Sequence, residues 1–205
     1  MGGPGVQRST KFVTHLNKFD YEPIVLTIKE EDINKMAVNV DDTLLNAIPQ
    51  NTQIVRTKSR QLFTLTKILN KLKIYRIFWY LFFPVFWERS ALWPFFTYFR
   101  AKQIIKKEKI KLVYTSSAPF SSMLLGFFLQ KKGKIKWVAD LRDPYTDAYA
   151  WSYPSKLHWL FARVVERYIL KKPDILIVNT PEVKKLYLSK HKLDSKKVVV
   201  ITNGF

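Results

Sequence analysis

Asp140, Arg142 and Asp143 stand together at the end of a short apolar run, inside the stretch KWVADLRDPYTD. Trp137, Val138, Ala139 and Leu141 have the make-up of a strand buried on both faces, where the in/out alternation of a half-exposed strand is lost. In an open parallel sheet the carboxyl ends of the strands meet in a crevice, and charges at that point face a ligand. Two carboxylates flanking a guanidinium there are placed to hold a polar substrate. The alternative is that Asp143-Pro144 opens a turn and Arg142 pairs with a neighbouring carboxylate, since structural ion pairs also cluster charge.

Those residues need a sheet to carry them, and the second half of the chain supplies its pattern. Strands are predicted over 112–117, 136–141, 175–179 and 198–202, with helices over 120–130, 154–170 and 181–189 between them. The helix over 154–170 repeats Leu157, Leu160, Phe161, Val164, Val165 and Tyr168 at helical spacing, and a helix over 93–109 puts Phe95, Phe96, Phe99, Ile104 and Ile105 on one side. Strands alternating with helices imply right-handed crossovers and a doubly wound, mainly parallel α/β sheet of Rossmann type. Its last four strands end in Thr115-Ser116-Ser117, Asp140-Leu141-Arg142-Asp143, Asn179-Thr180 and Thr202-Asn203-Gly204. The candidate crevice wall is therefore Ser116, Ser117, Asp140, Arg142, Asp143 and Asn179. Thr180-Pro181-Glu182 is better read as a helix start, with Thr180 capping amides and Glu182 meeting the dipole, and Asn203-Gly204 is also an ordinary turn.

The first half is less regular. A helix is expected over 6–16, strands over 21–28 and 53–57, and a short helix over 42–47. The opening MGGPGVQR is a glycine-rich segment of the kind that follows a strand and leads into a helix whose amides face an anion, so a strand is expected ahead of Met1, with Gly2, Gly3 and Gly5 in the loop beyond it. Gly3-Pro4-Gly5 begins a near-miss to G-x-G-x-x-G, but Arg8 stands at its sixth position, which argues against a nicotinamide or flavin enzyme.

Composition bounds the partners. The chain has 205 residues, 47% of them hydrophobic, enough for one well-filled core. The absence of cysteine excludes disulfides and Cys-based zinc sites, and His15, His158 and His191 lack ligand spacing. A reducing, cytoplasmic setting is the simplest home, and the first residues hold no apolar signal core. Thirty-five Lys and Arg against 16 Asp and Glu give a net charge of +19, a field that draws nucleic acid, anionic lipid or phosphorylated ligands. No helix-turn-helix, RNA-recognition or zinc pattern supports a nucleic-acid module. The cations are dense over 67–111, around the run IFWYLFFPVFW at 77–87. That run falls well short of the ~20 residues a membrane span needs, and Pro84 interrupts it. Rings beside Lys and Arg suit an interfacial anchor on an anionic membrane surface; otherwise they pack on the domain's own sheet.

Taken in order, GGPGVQR, KFVTHLNKFDYEPIVLT, TSSAPFSSMLLGFFLQKK, WVADLRDPYTD, DILIVNTPEVKKLY and VVVITNGF resemble the N-terminal domain of GT-B glycosyltransferases of family 4, the bacterial polysaccharide and lipopolysaccharide branch in particular. The resemblance covers the whole chain, 1–205, with 67–111 expected as a basic aromatic insertion that faces the membrane. It implies transfer of a sugar, of hexosyltransferase type, from a nucleotide-sugar donor to a glycan or lipid-linked acceptor held mainly by this domain. It places Gly2 and Gly3 at the donor phosphates, and Arg142 where many relatives carry a histidine near the reacting sugar. Arginine is no base, but its fixed charge steadies a phosphate or carboxylate; Asp143 is the nearest carboxylate for orienting an acceptor hydroxyl. No Asp-x-Asp motif is present, so metal-independent transfer without a cofactor is expected. The resemblance further implies a second domain beyond Phe205 that holds most donor contacts, a fragment inactive alone, and work at the inner face of the cytoplasmic membrane.

Overall fold

The computed structural model describes residues 4–34, 43–59, 68–82, 90–130, 135–147 and 153–203. Gly2, Gly3 and the end of the 77–87 run lie outside them. The chain divides into two compact units, Met1–Ser59 with Asn203–Phe205, and Arg60–Thr202.

In the first unit α1 (Pro4–Leu16) leads through a 3-10 turn to β1 (Ile24–Ile28). α2 (Glu30–Asn34) and α3 (Thr43–Asn46) follow, and then β2 (Gln53–Thr57). The strands pair in parallel, from Ile24 opposite Gln53 to Ile28 opposite Thr57. Their far ends are tied twice: Lys29 N donates to Thr57 O at 2.9 Å, and Ser59 N donates to Asp32 Oδ2 at 2.6 Å. Asp32 belongs to α2, a single acidic turn in a stretch that the sequence pattern left irregular. Its Glu30, Glu31 and Asp32 sit in the first turn, where the helix dipole favours negative charge.

The second unit holds α4 (Tyr75–Phe82), α5 (Trp93–Lys107), β3 (Leu112–Ser117), α6 (Ser121–Gln130) and β4 (Lys136–Leu141), then α7 (Lys156–Leu170), β5 (Ile175–Val178), α8 (Pro181–His191) and β6 (Val198–Val200). Its strands form one sheet in the order β3-β4-β5-β6, every neighbouring pair parallel. Each crossover steps the same way across the sheet, so right-handed connections bring α6, α7 and α8 to one face. On that face β4 buries Trp137, Ala139 and Leu141 completely, beside Leu176, Val178 and Val198 from β5 and β6. Ser155 and Thr180 cap α7 and α8 through their hydroxyls, Thr180 accepting from Val183 N at 3.2 Å with Pro181 at the first helical position.

α6 meets β4 where Gly126 lies on the indole of Trp137. A Cβ at Gly126 would stand 2.3 Å from Trp137 Nε1, and that nitrogen is already fixed by its hydrogen bond to Thr115 Oγ1 at 2.9 Å. The bare backbone is what lets helix and sheet approach.

Two helices turn the face that their sequence pattern marks as apolar away from the core. In α5 the buried residues are Trp93, Pro94, Thr97 and Ala101, while Phe95, Phe96 and Phe99 are exposed. In α7 the buried residues are Ala162, Glu166, Ile169 and Leu170, and Leu157, Leu160, Phe161, Val164 and Tyr168 are exposed.

The inward face of α7 carries the strongest polar interaction of this unit. Glu166 is fully buried. Its carboxylate accepts from Tyr187 OH at 2.5 Å, Thr146 Oγ1 at 2.5 Å, Thr146 N at 3.3 Å and Lys190 Nζ at 2.9 Å. His191 Nε2 stands 3.2 Å away and must carry the proton of that bond, because an ionised carboxylate offers only lone pairs. Burial alone would raise the pKa of Glu166, yet the bonds from His191, Thr146 and Tyr187 and the charge of Lys190 outweigh it and hold the group at about 2, against 4.5 unperturbed. Tyr187 moves the other way, raised by burial and by the adjoining charge of Glu166.

Two outcomes follow. Gly126→Ala forces the indole from its place, an overpacking cost of ~1–3 kcal/mol against a helix-propensity gain of about 1 kcal/mol; urea denaturation should show net destabilisation, and an unchanged midpoint would contradict the contact. Because the folded pKa of Glu166 lies below its unfolded value, its ionisation stabilises the protein above about pH 4.5, and this is lost as pH falls through about 2; the shift corresponds to about 3 kcal/mol. Glu166→Gln should lower stability at neutral pH by a similar amount and flatten the acid limb of a stability-versus-pH curve. An acid limb as steep as in the parent protein would refute the assignment.

Candidate functional site at the carboxyl edge of the sheet

Four parallel strands deliver their carboxyl ends to one edge, and the hydrophilic residues read from the sequence at the ends of β3, β4 and β5 collect there. Strand alternation then sorts them. Ser116 is opposite Asp140 in the register and Ser117 opposite Leu141, so Ser116 and Asp140 share the face away from α6, while Ser117 turns to the helix side and is buried. Ser116 Oγ lies 3.5 Å from Asp140 Oδ2, and Tyr114 OH donates to the same oxygen at 2.5 Å. Asp140 is fully buried. Its chemistry is therefore to orient hydroxyls, with Tyr114 and Ser116 as its donors. Tyr114 was missed by the sequence reading although it was legible: it stands two residues before Ser116, on the same face of the same strand.

Arg142 bridges two strand tips. Its Nε donates to Ser117 O and its Nη2 to Ala118 O at 2.9 Å, so the fork of donors closes on the turn after β3. Both open readings of this residue, ligand contact and carboxylate pairing, missed these carbonyl partners. The same turn is held from the α6 side by Ser122 Oγ, which donates to Ser116 O at 2.7 Å. Asp143 follows on the exposed surface. Asn179, just past β5, has a buried Oδ1 with no hydrogen-bond partner among the described residues. An amide oxygen in that condition costs roughly 1–3 kcal/mol until a donor reaches it.

Behind the rim, Tyr145, Thr146 and Asp147 are each fastened. Tyr145 stacks on Phe120 with ring centroids 3.9 Å apart and planes 8° apart, and its N–H donates to Tyr187 OH at 3.0 Å. Thr146 binds Glu166 as described, and Asp147 accepts from Lys190 Nζ at 2.6 Å. Arg142 and Asp143 thus sit on a loop whose far side is locked to α7 and α8. Nothing in the local sequence announces Glu166 as the centre of that lock, because its partners come from α8 and from the loop after β4. Its only signal is a single acid in a helix whose other charges are all basic.

In the first unit, Gly5 lies in the first turn of α1. Arg8 of the same helix is buried, faces the Phe12 ring at 5.5 Å, and has Nη1 3.4 Å from Asn203 Oδ1. Asn203 therefore has a partner in that unit. Among the described residues no group of three or more His, Cys, Asp or Glu could hold a metal ion, and no helix is long and apolar enough to cross a membrane. A pocket lined by Leu170, Pro173, Leu193 and Lys197 sits at the amino-terminal edge of the sheet, away from these tips.

The arrangement can bind a polyhydroxylated ligand: an orienting buried carboxylate with its hydroxyls, an exposed carboxylate, and an unsatisfied amide oxygen on one edge. A glycosyltransferase from Rickettsia africae ESF-5 is similar in structure, with a TM-score of 0.52 and 18% identity over 100% of this chain and 41% of that one; at that identity the likeness is one of fold. This chain thus spans about two fifths of that protein. No curated protein matches it. The family model of Glycosyltransferase Family 4 matches residues 12–205, and with a parallel sheet that gathers its polar tips on one edge, the chain belongs to that family.

Proposed function

We propose that these 205 residues are the acceptor-side domain of a glycosyltransferase that moves a sugar from a nucleotide-sugar donor to a cell-envelope glycan or lipid-linked acceptor. The single observation that carries this reading is the edge itself, where Ser116 and Asp140 lie next to last in their strands and Arg142, Asp143 and Asn179 just past the strand ends, on three neighbouring parallel strands. Acceptor hydroxyls meet carboxylates and an amide oxygen there, groups that accept hydrogen bonds from them.

In this reading Asp143 orients the acceptor hydroxyl, and Asn179 Oδ1 accepts from a neighbouring one. Arg142 holds the turn after β3 in register with β4, and its guanidinium lends fixed positive charge to that edge. Gly2, Gly3 and Gly5 approach the donor phosphates. Transfer proceeds without a metal cofactor, most donor contacts come from residues outside this chain, and the 205 residues by themselves turn over no nucleotide sugar. The protein works at the inner face of the cytoplasmic membrane, with no nucleic acid among its partners.

Binding of envelope oligosaccharides to this chain, followed by NMR titration, tests the acceptor half. Asp143→Asn and Asn179→Ala should each weaken binding about tenfold, the size of one lost hydrogen bond to a charged or buried group, with the fold intact by circular dichroism. Binding indifferent to both substitutions would remove the acceptor assignment. Arg142→Lys should weaken it similarly, since an ammonium cannot reproduce a planar fork across two carbonyls. Release of nucleoside diphosphate from nucleotide sugars by the chain alone should be absent; sustained release would overturn the division of labour.

A further inference from the structure

α5 and α7 each turn an apolar stripe to solvent, and α6 joins the two stripes into one surface. Phe95 lies 5.5 Å from Phe128 of α6, Phe128 lies 5.6 Å from Phe127, and Phe127 lies 5.4 Å from Tyr168 of α7. From Tyr168 the surface continues along α7 through Val164 and Phe161 to Leu157, positions that recur every three or four residues on one side of the helix. Phe99 is 72% exposed and Leu157 76%. At the start of α7, His158 fastens α4 to this layer: its Nε2 is 2.8 Å from Tyr80 O, and the two rings meet edge to face at 4.8 Å.

The charges on the same three helices have one sign. α5 contributes Arg100, Lys102, Lys106 and Lys107 and no acid. α6 is uncharged. α7 contributes Lys156, Arg163 and Arg167, and its one acid, Glu166, is buried on the opposite side. Several cations lie over ring faces: Lys102 on Tyr98 at 5.5 Å, Arg163 on Trp159 at 5.0 Å, and Lys172, just after α7, on Tyr168 at 5.4 Å. Contiguous exposed apolar surface marks an interaction site, and aromatic rings with cations beside them suit the headgroup level of a bilayer.

We propose that the outer face of α5, α6 and α7 is the surface by which this protein lies on an anionic lipid bilayer. Rings and aliphatic side chains enter the headgroup boundary, and the surrounding Lys and Arg meet lipid phosphates. The aliphatic share, Leu157, Leu160 and Val164, favours lipid over nucleic acid, whose bases stack on rings and leave leucine and valine without a role. The absence of any exposed carboxylate on these helices disfavours a second copy of the same face, which would set cation against cation. This inference deepens the membrane location given above and names the surface that performs it: α5, which lies within the basic aromatic segment 67–111, joined by α6 and α7.

Co-sedimentation with phosphatidylcholine vesicles, with and without phosphatidylglycerol, tests it without donor or acceptor, so the result is independent of the transferase reading. The protein should bind the phosphatidylglycerol vesicles and lose most of that binding at high salt. Phe99→Ser, Phe161→Ser and Val164→Ser combined should lower the partition coefficient about tenfold or more, with the circular dichroism spectrum unchanged, because the three side chains are exposed and serine has similar helix propensity. Three results would overturn the proposal: no binding to anionic vesicles, equal binding by the triple variant, or a self-dimer or single-stranded RNA complex that the same substitutions dissolve while vesicle binding persists.

Discussion

A carboxylate closed off from water is unfavourable unless donors converge on it, and Glu166 meets that requirement with four side chains and one backbone amide. Its position explains much of the second unit. Thr146 comes from the loop after β4, Tyr187, Lys190 and His191 from α8, and Glu166 itself from α7, so one charge joins two helices and the loop that bears Arg142 and Asp143. Removing a partner from such a cluster is costly because the remaining charge stays buried. The loop is therefore fixed in place by electrostatics rather than by apolar packing, apart from the stack of Tyr145 on Phe120.

That arrangement also accounts for the outward turn of α7. A helix whose inner face must present Glu166 to α8 cannot also present Leu157, Phe161 and Val164, which lie elsewhere around its axis. α5 reaches the same result differently, packing small residues, Thr97 and Ala101, inward. Both helices give their apolar faces to solvent, and every exposed charge on them is a Lys or Arg. The polar carboxyl edge of the sheet and the exposed apolar faces of α5 and α7 are separate features of the second unit.

The parallel sheet was legible because its strands are short apolar runs ended by small polar residues and separated by helical spacing; β3 and β4 match their predicted bounds. Ser116 and Asp140 were legible as neighbours at the carboxyl edge for the same reason. Periodicity identified the helices over α5 and α7 but not which side faces inward, since it measures segregation of residues and not the partner they segregate toward. The carbonyl partners of Arg142 and the donors of Glu166 were invisible because they are long-range in sequence. A two-residue offset within a strand, as between Tyr114 and Ser116, is readable; the approach of α8 to α7 is not.

Amide hydrogen exchange at Tyr145 and Thr146 is the most direct probe of whether the loop after β4 is held by the buried carboxylate. Both amides donate into the Glu166 and Tyr187 cluster, so their exchange should be slowed to the range of the β4 strand amides and occur only with opening of the whole unit. Exchange at the rate of an open surface loop would show that Arg142 and Asp143 ride on a segment that the cluster does not hold, and the account of the site would fail.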